Sequence, residues 1–209
     1  MPVDSRTTKI YHITDVANLQ GIVTAGGLFS DAQVRASNRN ITEIGYAHIK
    51  QRRLAEYTVP CCNNRAVGEF VPFYFCPRSP MLFTINKGST GRPAGCQTSI
   101  VHLVSVVHHA TALGRPWAIS DGNAGAGYTS FSNDNDALDK VNWNIVRSNS
   151  WGGDRLHIKM TEFLIADFFP VTSFVEVGCH NEQVAEQVKQ IMARQIPPLT
   201  VHVSPHWYY

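Results

Sequence analysis

Residues 70–83, FVPFYFCPRSPMLF, decide the fold because an aromatic strand there runs directly into the start of a helix. The residue types in 69–76 favour a strand, and Pro72 within it indicates an edge position or a bulge, since proline cannot donate to the ladder. Ser79 has the chemistry of a helix N-cap, and Pro80 fits the first helical position, where its missing N–H costs nothing. The stretch therefore predicts a strand, a rigid turn and a helix.

Arg78 lies in this turn between two prolines. Because proline fixes the backbone angle φ, the pair holds the direction in which the guanidinium points. The N-terminal N–H groups of the following helix favour an anion nearby. The sequence leaves two interpretations of Arg78 open, an anion-binding side chain and the partner of a surface carboxylate.

The chain of 209 residues is 44% hydrophobic and 16% charged, which predicts one domain spanning residues 1–209. No apolar run reaches the roughly 18–20 residues of a membrane span, and no export signal is evident, so we expect a cytoplasmic protein without membrane contact. The cysteines form no C-x-x-C pair, so we expect reduced thiols and no metal site. They are Cys61, Cys62, Cys76, Cys96 and Cys179.

Short strands and short helices alternate along the chain without regular βαβ units. We therefore predict a mixed α+β fold whose sheets are mainly antiparallel, with short helices around them. The strands are expected at 9–14, 69–76, 99–106, 115–120, 160–169, 173–178 and 199–204. The helices are expected from Asp15 to Gly26 and at 45–57, 79–88 and 181–195, with long loops at 28–44 and 122–136.

Basic residues are concentrated in residues 34–53, where five basic side chains and one acidic side chain give a local charge of +4. The whole chain carries only +2, so the remaining residues sum to −2. A polyanionic partner would therefore meet the protein at this segment. The other interpretation is an ordinary solvated helix face.

Glu162 opens an apolar strand pattern, which makes it either a catalytic carboxylate or an edge residue that points into water. His12 lies within the strand pattern YHIT, on the same face as Thr14. It is either a histidine satisfied by the backbone or a polar anchor for a ligand. No G-x-G-x-x-G, P-loop or G-x-S-x-G motif occurs, so Rossmann, P-loop and hydrolase functions have no support.

The motifs IYHITDVANLQGI, YAHIKQRR, VPFYFCPRSPML and TEFLI and the terminal WYY occur in order along nearly the whole chain. Together they resemble the DarT family of DNA ADP-ribosyltransferase toxins. The resemblance implies an ADP-ribosyltransferase fold of the PARP-like type, with NAD as the ADP-ribose donor in a cleft between two small sheets.

The resemblance also implies roles for single residues. Glu162 would be the catalytic glutamate, and Arg53 would lie beside the reacting ribose. Tyr74 would stack on nicotinamide, unless the strand register gives that place to Phe73 or Phe75. The remaining residues expected around NAD are His12, Thr14 and Asn18, together with Arg78 and Met81 in one shared pocket.

The acceptor implied is a base in single-stranded DNA, with thymine preferred, because a base edge is reachable only when it is unpaired. Guanine, RNA and protein remain alternative acceptors, and a DNA-binding module without catalysis is a further alternative. A variable loop at 143–161 would help to choose the acceptor. The expected DNA contacts are Tyr46, His48, Lys50 and Arg52. The implied protein partner is a DarG-like macrodomain antitoxin.

Overall fold

The computed structural model describes residues 2–39, 41–193 and 198–209. Its strands are β1 (Lys9–Asp15), β2 (Gly27–Phe29), β3 (Thr58–Val59), β4 (Arg65–Ala66), β5 (Phe70–Tyr74), β6 (Ile100–Val106), β7 (Trp117–Asn123), β8 (Phe131–Ser132), β9 (Thr161–Ala166), β10 (Phe168–Pro170), β11 (Glu176–Cys179) and β12 (Thr200–Val203). Its helices are α1 (Leu19–Thr24), α2 (Asp31–Ala36), α3 (Ala47–Ala55), α4 (Pro80–Asn86), α5 (Val107–Thr111), α6 (Trp143–Val146), α7 (Arg155–Lys159) and α8 (Glu182–Met192).

A mixed sheet of eight strands forms the centre of the molecule, in the order β12-β11-β6-β1-β5-β9-β7-β8. Neighbouring strands are antiparallel except β11 and β12, which are parallel. Two small ribbons, β2 with β10 and β3 with β4, lie beside it. The predicted α+β architecture with mainly antiparallel strands is confirmed.

The prediction of an edge position for Pro72 is wrong, because β5 lies between β1 and β9. β5 pairs with β9 along its whole length, whereas its only register pair with β1 joins Tyr11 and Tyr74. The N and C=O groups of one strand residue point to the same side, and the Pro72 carbonyl accepts from His12 Nδ1 at 2.8 Å. The missing N–H of Pro72 therefore faces the gap where β1 and β5 have separated, and no ladder bond is lost.

Three expected segments have different boundaries in the structure. The long loop at 28–44 contains α2, whose N-cap Ser30 accepts from the Gln33 N–H, a capping pattern that the sequence analysis overlooked. The expected strand at 160–169 is broken at Asp167, which has φ of 67°, and its second half pairs with β2. The loop at 143–161 carries α6 and α7.

Smaller differences concern strand and helix ends. The strand expected at 115–120 occupies Trp117–Asn123, and the loop at 122–136 contains β8. The last helix is α8, and residues 194 and 195 of the predicted range lie outside the described residues. No helix in the described part of the chain is long and apolar enough to cross a membrane.

The main core lies on one face of the large sheet, where α1 and α8 cover Phe73 and Phe163. Both phenylalanine side chains are fully buried, which contributes about 1.5–3 kcal/mol each. A second cluster under β3 and β4 includes Phe70 and Leu164. A third, formed with α4, includes Leu82. Strands β5 and β9 are therefore packed on both faces, which holds the ends of these two strands in place.

Candidate active site

A cleft of about 490 Å³ opens where β1 and β5 separate. Tyr11 and Tyr74 form the only register pair between these strands, and next to it His12 and Thr14 line one side of the cleft while Pro72 and Tyr74 line the other. The volume lies within the range of about 300–1,000 Å³ that small-molecule sites occupy. The split in the sheet therefore creates a ligand-sized space at its centre.

Arg53 and Glu162 form a buried, two-armed ion pair at this cleft. The Arg53 Nη1 and Nη2 atoms lie 3.1 and 3.0 Å from the two Glu162 carboxylate oxygens. The Arg53 side chain is 12% exposed and the Glu162 side chain 1%, and only Arg53 lines the cleft. Burial disfavours the charged form of Arg53, but the attraction of Glu162 outweighs this and raises the pKa of Arg53.

A backbone N–H and a serine hydroxyl hold Glu162 in position. The Ala124 N–H donates to Glu162 Oε1 at 3.0 Å, and the Glu162 N–H donates to Ser120 Oγ at 2.9 Å. A carboxylate offers about four lone-pair sites, and Arg53 and Ala124 occupy three of them. One site therefore remains for a ligand hydroxyl, provided that Arg53 moves to admit it.

Tyr74 and His12 supply neutral polar groups to the cleft. Tyr74 is the register partner of Glu162, and burial, with the nearby negative charge of Glu162, raises its pKa. Burial also disfavours the charged form of His12, and this lowers the pKa of that imidazole. Because a carbonyl only accepts, the bond to Pro72 puts the proton of neutral His12 on Nδ1 and leaves Nε2 as an acceptor. Phe73 and Phe75 belong to the core, so the predicted strand register is the observed one.

Asn18 fastens the segment that covers the cleft. Its Nδ2 donates to the Thr42 carbonyl at 2.9 Å and to Thr14 Oγ1 at 3.1 Å, and its Oδ1 accepts from the Thr42 N–H at 2.6 Å. Residues Ile41–Tyr46 line the cleft beyond this attachment. Both ends of the Asn18 amide are engaged within the protein, so Asn18 positions the covering segment.

Lys50 lines the cleft but is already paired. Its Nζ lies 3.0 Å from Asp31 and 2.6 Å from Glu43. Burial disfavours the charged amine, but the two carboxylates outweigh it and raise the pKa of Lys50. Asp31, which also lines the cleft, was missed by sequence reasoning, because no local pattern indicates a partner 19 residues away.

The other expected DNA-contacting residues surround the mouth of the cleft unevenly. Tyr46 lines the cleft. The ring centre of exposed His48 lies 5.2 Å from the ring centre of Tyr46. Arg52 lies outside the cleft, where it pairs with Glu56 at 2.8 Å and also contacts the Tyr57 hydroxyl. In the +4 segment Lys50, Arg52 and Arg53 are therefore paired with carboxylates, whereas, within the described residues, Arg35 and Arg39 are not.

Arg78 does not share a pocket with Met81, contrary to the expectation. Met81 lines the cleft, whereas Arg78 lines a second cavity and its guanidinium stacks on the Tyr209 ring at 4.5 Å. The reason is the turn before α4: Ser79 caps the helix through the Leu82 N–H, and residues on either side of the cap face different spaces. Arg78 is therefore separate from the cleft.

A family model described as "DarT: ssDNA thymidine ADP-ribosyltransferase, DarT" matches residues 11–209. A DNA ADP-ribosyl transferase of Thermus aquaticus is 37% identical to the chain over 205 residues, which are 97% of this chain and 89% of the relative. This likeness spans every element that forms the cleft.

Solved structures agree. Thermus sp. 2.9 DarT in complex with ADP-ribosylated ssDNA matches with a TM-score of 0.89 and 31% identity, over 100% of this chain and 99% of that chain. The same protein in complex with NAD+ matches with a TM-score of 0.85 and 28% identity, over 100% of both. Thermosipho africanus DarTG in complex with ADP-ribose has a TM-score of 0.75 and 20% identity over 96% of this chain and 51% of that chain, which shows the fold alone. The predicted ADP-ribosyltransferase fold is confirmed, and the chain belongs to the DarT family of DNA ADP-ribosyltransferases.

Proposed function

We propose that this chain transfers ADP-ribose from NAD to a thymine base in single-stranded DNA, and that it does so as a toxin within one catalytic domain, residues 1–209. The observation that carries the proposal is the buried ion pair of Arg53 and Glu162 at a ligand-sized split in the sheet. The family description names thymidine, and the Thermus sp. 2.9 relative is described with NAD+ and with ADP-ribosylated ssDNA.

Glu162 has the position and chemistry to assist the first bond cleavage. When the bond between ribose C1′ and nicotinamide breaks, nicotinamide leaves with the bonding electrons and positive charge builds on C1′. A carboxylate that accepts from the ribose 2′-hydroxyl stabilises this charge, an effect worth ~10²–10³ in rate. We infer that donor binding displaces Arg53 from part of its contact, since Glu162 is otherwise covered.

Transfer to thymine requires loss of one proton. In thymidine N1 carries the deoxyribose, so N3 is the ring nitrogen that bears a proton and can bond to C1′. Glu162 accepts this proton as the N3–C1′ bond forms and then releases it to water, a general-base contribution of ~10²–10⁴. Arg53 remains charged throughout and would stabilise the developing negative charge on the thymine carbonyl oxygens.

The remaining residues of the cleft suit the donor. His12 offers a neutral acceptor nitrogen, Tyr74 a neutral aromatic ring for nicotinamide, and Thr14 and Met81 complete the walls. Asn18 would act on the donor indirectly, by holding the covering segment through Thr42.

The acceptor strand would run along α3. Tyr46 can stack on a base, whereas Lys50 must exchange Asp31 and Glu43 for a phosphate. His48 and Arg52 extend this surface outside the cleft. Few free cations contribute here, so the salt dependence of DNA binding should be modest.

We also propose a DarG-like macrodomain antitoxin as the protein partner. The support is the Thermosipho africanus neighbour, described as DarTG in complex with ADP-ribose, of which this chain covers 51%.

Intact-mass spectrometry of short single-stranded oligonucleotides that differ in one central base tests the proposal. With NAD present, we expect one ADP-ribose on the thymine-containing oligonucleotide alone. Glu162→Gln should slow the reaction by at least ~10³, whereas Glu186→Gln, the same change at an exposed position of α8, should not. Modification of another base, of RNA or of protein instead, or full activity of Glu162→Gln, would contradict it.

A further inference from the structure

A second cavity, of about 660 Å³, lies on the other side of the Tyr11–Tyr74 pair from the cleft. Consecutive residues of three chain segments line the two spaces. Tyr11, Phe75 and Lys159 line the cavity, whereas their neighbours His12, Tyr74 and Met160 line the cleft. The cavity and the cleft are therefore distinct spaces, and the wall between them is one residue thick.

The cavity carries three positive charges without a carboxylate partner in the described part of the chain. They belong to Arg78, Arg147 and Lys159. Lys9 also lines the cavity but pairs with Glu176 at 2.7 Å. In the +4 segment Lys50, Arg52 and Arg53 have carboxylate partners, whereas Arg35 contacts the Gln51 amide and Arg39 lies over the Phe29 ring. The cavity therefore brings three such cations together around one space.

Acidic groups do little to offset this charge. Asp4 is the one carboxylate that lines the cavity in the described residues, and it is exposed. Its Oδ1 accepts from the Arg6 N–H at 2.9 Å. The other titratable lining groups are exposed His206 and buried Tyr11 and Cys76, and burial raises the pKa of both Tyr11 and Cys76, which disfavours their negative forms. The electrostatic potential inside the cavity is therefore positive.

Arg78 has a donor that the protein leaves unused. Its Nε atom is buried and has no hydrogen-bond acceptor in the described residues. The guanidinium lies 4.5 Å from the Tyr209 ring centre, and the Tyr209 hydroxyl donates to the Arg78 carbonyl at 2.9 Å, so the side chain and its backbone are both held. Buried donors are normally paired, so Arg78 retains the capacity for one more hydrogen bond.

Lys159 is held equally firmly. Its side chain is almost fully buried, and Nζ donates to the carbonyls of Val146 and Ser148, the latter at 2.9 Å. These carbonyl groups accept from two of its three N–H donors but do not neutralise its charge. A buried cation without a counter-ion favours an anion close by.

Aromatic rings form the rest of the wall. Trp143 and Trp207 line the cavity, and the Arg147 guanidinium lies over the Trp143 ring at 4.8 Å. Tyr11 and Phe75 form the buried floor. Flat aromatic and guanidinium faces stack on nucleobases whatever the base sequence, and fixed cations hold phosphate. Both halves of a nucleotide therefore find suitable partners in this one cavity.

We propose that this cavity binds a nucleotide of the single-stranded acceptor, next to but different from the nucleotide that is modified. This inference rests on the proposed function. Arg78 in the cavity and Met81 in the cleft are three residues apart, a separation of at most about 10 Å along the chain. A strand whose reactive base lies in the cleft can therefore pass the start of α4 and place a neighbouring nucleotide in the cavity.

Photo-cross-linking tests the location without catalysis. Wild-type protein is mixed, in the absence of NAD, with thymidine oligonucleotides that carry one 5-iodouracil at successive positions. We expect cross-links to Trp143 or Trp207 when the 5-iodouracil lies a few nucleotides from the base held in the cleft. Cross-links confined to cleft residues would overturn the proposal. So would displacement of the oligonucleotide from the cavity by an equal concentration of thymidine monophosphate, which would assign the cavity to a free nucleotide.

Kinetics provide an independent test. The measured quantity is the ratio of kcat/KM for a long oligonucleotide to kcat/KM for the shortest one that is modified. Arg147→Gln, at an exposed position, should lower this ratio about tenfold, the size of one lost stacking and phosphate contact. Arg6→Gln removes the same charge from an exposed residue that lines neither space, and should leave the ratio unchanged.

An unchanged ratio for Arg147→Gln, or an equal loss in both variants, would overturn the assignment. The two proposals fail in different ways. If the wild-type protein modifies no DNA, the proposed function is wrong, whereas the cross-link pattern, which requires no NAD, still shows whether nucleic acid occupies the cavity.

Discussion

Replacing Glu162 by glutamine preserves its shape but removes the charge that faces Arg53. The guanidinium, 12% exposed, is then left beside a neutral amide that can accept only one of its two hydrogen bonds well. Breaking a buried ion pair by removing one partner costs about 3–5 kcal/mol. Because Arg53 retains some contact with water at the cleft, we expect the lower end, a loss of about 3 kcal/mol in the free energy of unfolding.

The complementary change Arg53→Met leaves the Glu162 carboxylate, 1% exposed, with the backbone N–H of Ala124 as its remaining hydrogen-bond partner. We expect this loss to be at least as large, since Glu162 is the more deeply buried partner. In the double variant neither charge remains, so it should be more stable than the sum of the single losses predicts, by about 2 kcal/mol. Urea unfolding at pH 7, followed by far-UV circular dichroism, measures all four proteins.

The predicted interaction between Arg53 and Glu162 is refuted if the losses in stability of the two single variants are additive. If the two losses sum in the double variant to within about 0.5 kcal/mol, the side chains do not form an interacting pair. Activity cannot substitute for this measurement, because we expect all three variants to be inactive. A stable but inactive double variant would show that the ion pair serves catalysis and contributes little to the free energy of unfolding.

Two further predictions concern stability. Burial lowers the pKa of His102 from 6.5 to about 4, so the unfolded chain binds the extra proton first, and stability should fall by up to ~3 kcal/mol as the pH drops through this window. His102→Gln should remove most of that dependence in urea titrations at pH 7 and pH 4; an identical acid loss would assign it to other groups. Gly27→Ala places a Cβ 2.2 Å from the Phe169 carbonyl oxygen, across the β2–β10 ribbon, and should lower the Tm, whereas Gly21→Ala, in open space on α1, should raise stability by about 0.5–1 kcal/mol. Equal Tm values for the two glycine variants would contradict the close packing of that ribbon.

Local chemistry in the sequence determined the elements whose signals lie within a few residues. Ser79 and Pro80 predicted the start of α4, and the observed cap is the one expected, with Ser79 accepting from the Leu82 N–H. Strand alternation placed His12 and Thr14 on one face of β1, and both line the cleft. Such signals are readable because capping and side-chain alternation depend on neighbours in the chain.

The tertiary structure alone decided which distant groups meet. Arg53 and Glu162 are 109 residues apart, and no local pattern states that the end of α3 lies against the start of β9. The +4 charge of residues 34–53 counts side chains but not their partners, so the sequence could not show that Lys50 is neutralised while Arg78 keeps an unpaired donor. The split of β1 from β5 depends on strand order, which arises from packing of the whole sheet. The sequence by itself thus determined faces and caps, whereas long-range packing decided the pairs and cavities, because those energies depend on distance in space.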